Sequence, residues 1–341
     1  MSFPSAPTPQ VDRLRDLLAT PRRIAIVSHY NPDGDAVGSS QGLAHVLRQL
    51  GHTVHVVLPN RPPAFLDFVP GSNDRITFDK DPDDARQRIQ VCELLFCLDF
   101  NRQDRVGGLE RVVRDAPSKV LIDHHQDPED FAELAFSDTY ACATCQMVFD
   151  IISAMGHAGV IDREAATCLY TGLVTDSGSF RFPSTTPHTM RVAAALMERG
   201  VDIASVHGAI MDDNSEDRMR LLGLALGERM RVLPDLRTVI IGLSGQDMAR
   251  HGSTPGDTEG FVNHALSIRG TRLAAFFVER PDMVKISLRS KGDLPVDRFL
   301  KEHFNGGGHR NAAGGQSNET LEATIARFER ELPKFLQQHP A

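Results

Sequence analysis

The stretch Ser28-His29-Tyr30-Asn31-Pro32-Asp33-Gly34-Asp35-Ala36-Val37-Gly38-Ser39 decides the fold. The apolar run Ile24-Ala25-Ile26-Val27 before it reads as a buried strand. After it, Leu43, Val46, Leu47 and Leu50 fall at i, i+3, i+4 and i+7, one face of a helix. One histidine and two aspartates therefore sit on a loop at the carboxyl end of a strand, where open α/β sheets bind ligands. Asp33 and Asp35 are two residues apart, so an extended loop points both the same way. Pro32 stiffens the approach and Gly34 removes the Cβ between the carboxylates. Imidazole and carboxylate suit Mn²⁺, Zn²⁺ or Fe²⁺. On these residues alone, a metal loop and an Asp-Gly-Pro turn whose carboxylates cap the next helix both remain open.

A chain of 341 residues is long enough for two cores. Its 41% hydrophobic and 24% charged content is that of a globular protein. The net charge of −8 excludes a general polyanion binder, and fits a small phosphorylated substrate better than a long duplex. No apolar run approaches the roughly 20 residues that span a membrane. Residues 1–10 hold three prolines and no apolar segment, so a disordered lead, no signal peptide and a cytoplasmic location are expected. The five cysteines (92, 97, 142, 145 and 168) form no framework and read as reduced thiols. Cys142-x-x-Cys145 lies in a helical pattern and reads as core rather than as a redox or zinc pair.

Strands and helices alternate along the first half. A helix is expected at 11–19, a strand at 23–28, a helix at 38–50 and a strand at 53–58. A helix at 82–90, a strand at 92–98, a helix at 107–115 and a strand at 119–122 follow. This alternation predicts α/β architecture with a doubly wound, mostly parallel sheet. Asp99, Asp123, His124 and His125 each follow a strand run, as His29, Asp33 and Asp35 do, and the carboxyl ends of parallel strands share one edge. From residue 135 the pattern turns helical, with helices at 142–156, 162–175, 187–199, 202–211 and 215–228, and Asp176 lies in a glycine-rich helix exit. Strands resume at 238–243, 273–279 and 284–288, with helices at 257–267, 295–303 and 319–337, a smaller α/β domain with a mixed sheet. The expected organisation is a lead at 1–10, a catalytic domain at 11–200, a helical connector at 201–228 and a C-terminal domain at 229–341. The last carries a local basic excess and the glycine stretch Gly306-Gly307-Gly308-His309, expected to be a loop whose backbone N–H groups face an anion.

In combination these residues resemble a known family. His29-x-x-x-Asp33-Gly34-Asp35-Ala36-x-Gly38-Ser39, Asp99, Asp123-His124-His125 and Thr175-Asp176, in that order, are similar to the motifs of the DHH phosphoesterase superfamily. Gly306-Gly307-Gly308-His309 with Asn311-Ala312-Ala313-Gly314 resembles the signature of its associated C-terminal domain. Asn305 stands where the family often has another glycine, and Cys142 and Cys145 replace small or hydroxyl residues. Size and two-domain plan are most similar to the nanoRNA phosphodiesterases that also act as pAp phosphatases. RecJ-type exonucleases carry extra domains, membrane cyclic-di-AMP phosphodiesterases carry spanning segments, and family II pyrophosphatases close with a different domain.

The resemblance implies a two-metal hydrolase, with Mn²⁺ as the expected ion. It assigns His29, Asp33 and Asp99 to one ion and Asp35, Asp99, His124 and Asp176 to the other. Asp123 would orient an imidazole, and His125 would meet the scissile phosphate. Arg289, Ser290, His309 and the glycines Gly306, Gly307 and Gly308 would hold the rest of the substrate. Partners implied are short single-stranded RNA or a small phosphorylated nucleotide, and a second copy of the chain in a homodimer. A phosphodiesterase for pGpG or cyclic-di-AMP and a non-catalytic nucleotide-binding regulator are the alternatives.

Overall fold

The computed structural model describes residues 8–254 and 256–340. The chain divides into two compact units, one up to Asp213 and one from Asn214. The first contains α1 (Pro9–Leu17), β1 (Arg23–Val27), α2 (Gly34–Gln49), β2 (Thr53–Leu58), β3 (Ile76–Thr77), α3 (Pro82–Gln90) and β4 (Leu94–Leu98). It continues with α4 (Glu110–Asp115), β5 (Lys119–Asp123), β6 (Leu134–Ser137), α5 (Thr144–Ala154), α6 (Arg163–Asp176), α7 (Pro187–Met197) and α8 (Ile203–His207).

Its six strands are all parallel, in the order β3-β2-β1-β4-β5-β6. β4 and β5 are buried at every residue, as a sheet covered on both faces requires. Alternate residues go to opposite sides: Ile24, Ile26, Phe96 and Ile122 join one core, and Ala25, Val27, Cys97 and Leu121 the other. Strand order reverses between β1 and β4, so the ends of these two neighbours, at His29 and Asp99, open a crevice at the switch point.

Several elements depart from expectation. α2 begins at Gly34 rather than 38, because the Asp33 side chain accepts from the amides of Asp35 (3.0 Å) and Ala36 (3.1 Å) and caps it. The span after 135 opens with a strand, β6, whose pattern (Leu134 and Phe136 in, Ala135 and Ser137 out) is too short to stand out. Of the expected lead, residues 1–7 lie outside the described residues; Thr8 caps α1, which starts at Pro9. The helix expected at 107–115 is shortened to α4 by a 3₁₀ segment, Gln103–Leu109, broken at Gly107. The expected connector divides between the units, with α8 and a π-turn at Gly208–Asp212 in the first.

The second unit contains α9 (Glu216–Gly227), β7 (Met230–Leu233), β8 (Thr238–Leu243), α10 (Gly245–Arg250), α11 (Phe261–Leu266), β9 (Leu273–Glu279) and β10 (Val284–Ser290). It closes with α12 (Val296–His303), β11 (Gly307–His309), β12 (Ala312–Ser317) and α13 (Leu321–Gln338). The sheet order is β11-β12-β10-β9-β8-β7, with β8 and β9 parallel and the other pairs antiparallel. The expected glycine loop is therefore a strand: Gly307, Gly308 and His309 pair with Gly314, Ala313 and Ala312. Asn305, at φ 47°, leads into it in the left-handed region that asparagine tolerates better than most residues.

Within this unit Asp247 caps α10 with Ser244 and receives two hydrogen bonds from Arg229, at 3.0 and 2.9 Å. The Arg229 contacts hold its carboxyl down to about 2. A depressed carboxyl contributes stability above its unfolded value, near 4, and loses it as pH falls through the folded value. Because Arg229 is 38% exposed, solvent screening keeps the contribution to about 1 kcal/mol. Asp247→Asn is expected to cost about that much at pH 7 in urea unfolding of the full chain, with the deficit fading between pH 4 and 2. A deficit independent of pH would show that the ion pair is not its source.

Candidate metal centre

Each polar group in the crevice is placed by the end of an element. His29 follows β1, Asp33 and Asp35 open α2, Asp99 follows β4, Asp123 ends β5, His124 and His125 follow it, and Asp176 ends α6. The structure brings all of them together. His29, Asp33 and Asp99 form one group whose potential ligand atoms lie within 4.8 Å of one another, and Asp35, His124 and Asp176 form a second. Asp99 faces both: its Oδ2 is 3.4 Å from His29 Nε2 and its Oδ1 is 3.5 Å from His124 Nε2. Asp99 holds this position at φ 65°, where a residue with a Cβ is strained.

The histidine tautomers follow from their outer hydrogen bonds. His29 Nδ1 donates to the carbonyl of Tyr30 (2.9 Å) and His124 Nδ1 to that of Ala141 (3.1 Å). Each ring thereby turns its Nε2 inward toward the carboxylates, the orientation of a metal-ligating imidazole. His124 Nε2 lies 3.2 Å from Asp176 and 3.7 Å from Asp35. His125 is held differently: Asp123 takes its Nδ1–H at 2.7 Å and its backbone N–H at 3.1 Å. Asp123 thus fixes the ring of His125, not that of His124.

The electrostatics are those of crowded acids. Burial opposes charge on the imidazoles, but the hydrogen bonds and charges of Asp33 and Asp99 outweigh it and push His29 up to about 10. His124 is likewise raised well above its ordinary value, against burial, by Asp176, Asp99 and Asp35. Burial would raise Asp99, yet His29, His125 and His124 hold it well below the usual carboxylate range. Asp35 goes the other way, raised by burial and then by the charges of Asp99 and Asp176. Protons here occupy a place that suits a cation. Among the described residues no lysine or arginine pairs with Asp33, Asp35, Asp99 or Asp176, so the donor set fits divalent metal ions.

Thr144 escaped sequence reasoning. Its hydroxyl donates to Asp99 Oδ1 (2.9 Å) and its N–H to Asp35 Oδ2 (2.6 Å), while the N–H of Cys145 donates to Asp35 Oδ1 (2.9 Å). Asp35 so caps α5 from another helix, and a lone threonine at a helix start gives no signal of that role. All five cysteines are free and buried.

The expected substrate residues of the second unit sit on β10, β11 and β12. Arg289, Ala312 and His309 share one row across the three strands, so their side chains leave the same face with only an alanine methyl between. Ser287, Gly314 and Gly307 form the next row. A Cβ at Gly307 would meet nothing nearer than 3.8 Å, and one at Gly314 nothing nearer than 3.9 Å. Packing does not require these two glycines; they keep the face bare, where a ligand can approach closely. Ser290 points to the other face, its hydroxyl donating to the Leu294 carbonyl (2.7 Å) and accepting from Asn311 (2.8 Å).

Comparison with known proteins agrees with this geometry. The pattern of the DHH family, N-terminal domain, matches residues 23–173, and that of the DHHA1 domain matches 239–338. The chain is 32% identical over 297 residues to a bifunctional oligoribonuclease and PAP phosphatase, NrnA, of Thermus thermophilus, spanning 85% of this chain and 83% of that one. It is 24% identical to the cyclic-di-AMP phosphodiesterase PdeA of Listeria monocytogenes, over 94% of this chain and 48% of that one. The crystal structure of an exopolyphosphatase-related protein from Bacteroides fragilis superposes with a TM-score of 0.92 at 37% identity, over 96% of this chain and 97% of that one.

α2 and α6 bring Asp35 and Asp176 together by touching backbone to backbone. A Cβ at Gly38 would overlap the Cys168 carbonyl oxygen, which cannot swing aside. Gly38→Ala is expected to cost about 1–3 kcal/mol in urea unfolding by overpacking. Gly223→Ala on α9, with nothing within 4 Å, should be neutral or raise stability by about 0.5–1 kcal/mol. Equal effects at the two sites would remove the helix contact as the cause.

Proposed function

The chain belongs to the DHH family, and on that premise we propose a metal-dependent phosphoesterase that cleaves short RNA oligonucleotides to mononucleotides and removes a phosphate from pAp. The observation that carries this reading is Asp99, whose two oxygens face two separate donor groups. His29, Asp33 and Asp99 would hold one divalent ion, and Asp35, Asp99, His124 and Asp176 the other, with Mn²⁺ suited to this mixture of carboxylate and imidazole. When bound, such a pair supplies Lewis-acid polarisation of a phosphoryl group and acidifies water near neutral pH.

The protein's own groups do the rest. The Tyr30 and Ala141 carbonyls keep His29 and His124 in the tautomer that offers Nε2. The amides of Thr144 and Cys145 fix both oxygens of Asp35, and the Thr144 hydroxyl fixes Asp99. Asp123 accepts from the Nδ1–H of His125 and so sets the orientation of the ring, whose Nε2 would meet the scissile phosphate or assist the leaving oxygen. Arg289 and His309, flanking the bare row of Ser287, Gly314 and Gly307, would bind a further phosphate of the substrate, Arg289 through its planar fork. The likeness to PdeA supports a second substrate, cyclic-di-AMP, as the alternative to be measured beside the first.

One preparation loaded with Mn²⁺ is expected to release mononucleotides from a dinucleotide and from a five-nucleotide RNA, and phosphate from pAp, faster than it opens cyclic-di-AMP. EDTA should abolish all four activities. Asp99→Asn should lower turnover by orders of magnitude while the circular-dichroism spectrum persists; normal turnover in that variant would refute the assignment. Arg289→Ala should raise KM for the dinucleotide more than it lowers kcat, and an unchanged KM would take Arg289 out of the site.

A further inference from the structure

The chain contains three tyrosines and no tryptophan. One of the three, Tyr30, is 53% exposed although the residue before it is the buried His29. Its backbone is clamped from several sides. The carbonyl accepts from His29 Nδ1 at 2.9 Å, and the N–H donates to the Arg105 carbonyl at 2.6 Å. Asn31, at φ 57°, is fixed by an exchange of hydrogen bonds with Asn60, at 2.7 and 3.2 Å. The ring itself is backed by Gly107: a Cβ there would lie 3.1 Å from the ring, and the Gly107 backbone (φ 56°, ψ −130°) is one only glycine adopts readily. Among the described residues the Tyr30 hydroxyl has no hydrogen-bond partner, and the Arg105 guanidinium has no ion-pair partner.

A half-exposed aromatic ring on a fixed backbone, beside a histidine of the proposed metal site and with glycine backbone against one side, presents a flat surface on which another ring can lie. That is the requirement for base stacking, which is tolerant of base identity because every base has a π-face. The alternative, a ring exposed by chance, does not account for the clamp or for a glycine at 107. Tyr140, at 78% exposure, has less of its ring backed.

We propose that Tyr30 is the platform on which a nucleobase of the substrate stacks beside the phosphoryl group. The proposal rests on the hydrolase reading and deepens it: the site favours nucleotides over phosphate esters that lack a base. Tyr30 is a specificity residue, not a participant in bond cleavage.

The test compares wild type, Tyr30→Ala, Tyr30→Phe and Tyr140→Ala, all loaded with Mn²⁺, on a dinucleotide and on the two dinucleotides made abasic at the 5′ or the 3′ residue. Calorimetric binding of the product AMP is measured on the same proteins. Tyr30→Ala is expected to raise KM for the intact dinucleotide about tenfold with kcat within about twofold, and to weaken AMP to a similar degree. Tyr30→Phe should restore both values. On one abasic dinucleotide wild type should already show the raised KM, and Tyr30→Ala should add nothing further. An equal loss of kcat on all three substrates would mean that the substitution only displaces His29, and would overturn the proposal. So would an unchanged KM, a loss confined to Tyr140→Ala, or no AMP binding by wild type. If wild type binds AMP through Tyr30 but cleaves nothing, the hydrolase reading fails and the platform stands.

Discussion

The fold is built around a repulsion. Asp33, Asp35, Asp99 and Asp176 converge on one site, Asp35 and Asp99 of them buried, and His29, His124 and His125 stand among them. Two carboxylates a few ångströms apart repel strongly when little water screens them. His29 and His124 offset part of this by taking protons, which is why their pKa values rise in spite of burial. Acids collected at such cost, with no lysine or arginine paired with them among the described residues, fit the cation site proposed above. A salt bridge would have quenched the charge; leaving it unquenched keeps a charge deficit for a metal to fill.

The rest of the first unit holds these groups against their repulsion. A parallel sheet buried on both faces delivers β1, β4 and β5 to one edge with their order fixed by register. The helices then act through their amino ends. Asp33 caps α2 with one oxygen while belonging to the donor cluster, so the capping turn and the proposed metal loop, which look like rival readings of one sequence, are compatible in one structure. Asp35 does for α5 what Asp33 does for α2, accepting from two of its first amides. Helix N-termini carry partial positive charge, and here they stabilise carboxylates that the cluster itself would neutralise.

How much of this was legible follows from the range of the interactions. His29, Asp99 and His124 could be read because each follows a strand, and parallel strands bring such ends together whatever the intervening sequence; Asp33 and Asp35 open the helix that follows β1, and Asp176 closes α6. Thr144 could not be, because its partners are 109 and 45 residues away and its only local mark is a position at a helix start. β6 was hidden by its length, four residues against a helical background. The glycines from 306 to 308 suggested a loop because glycine usually signals freedom; their pairing to β12 is set by Ala312–Ser317, which taken alone carries too few β-formers to read as a strand.

The glycines of the second unit show how the same residue serves opposite ends. Gly306 and Gly308 are required by packing, since a Cβ at either would press into the backbone of β12. Gly307 and Gly314, in the same hairpin, have room for a side chain and lack one. A requirement of folding explains the first pair and cannot explain the second, so the second pair answers to something that must approach the sheet. The row beside them, Arg289, Ala312 and His309, has the complementary design: two polar side chains at its ends and the smallest side chain between. Adjacent strands stand about 4.8 Å apart, so the two polar side chains are rooted about 10 Å from one another, wide enough for a phosphate group between their tips. The bare floor and the flanking cation are together one feature of the sheet face, and neither would be informative without the register that sets them side by side.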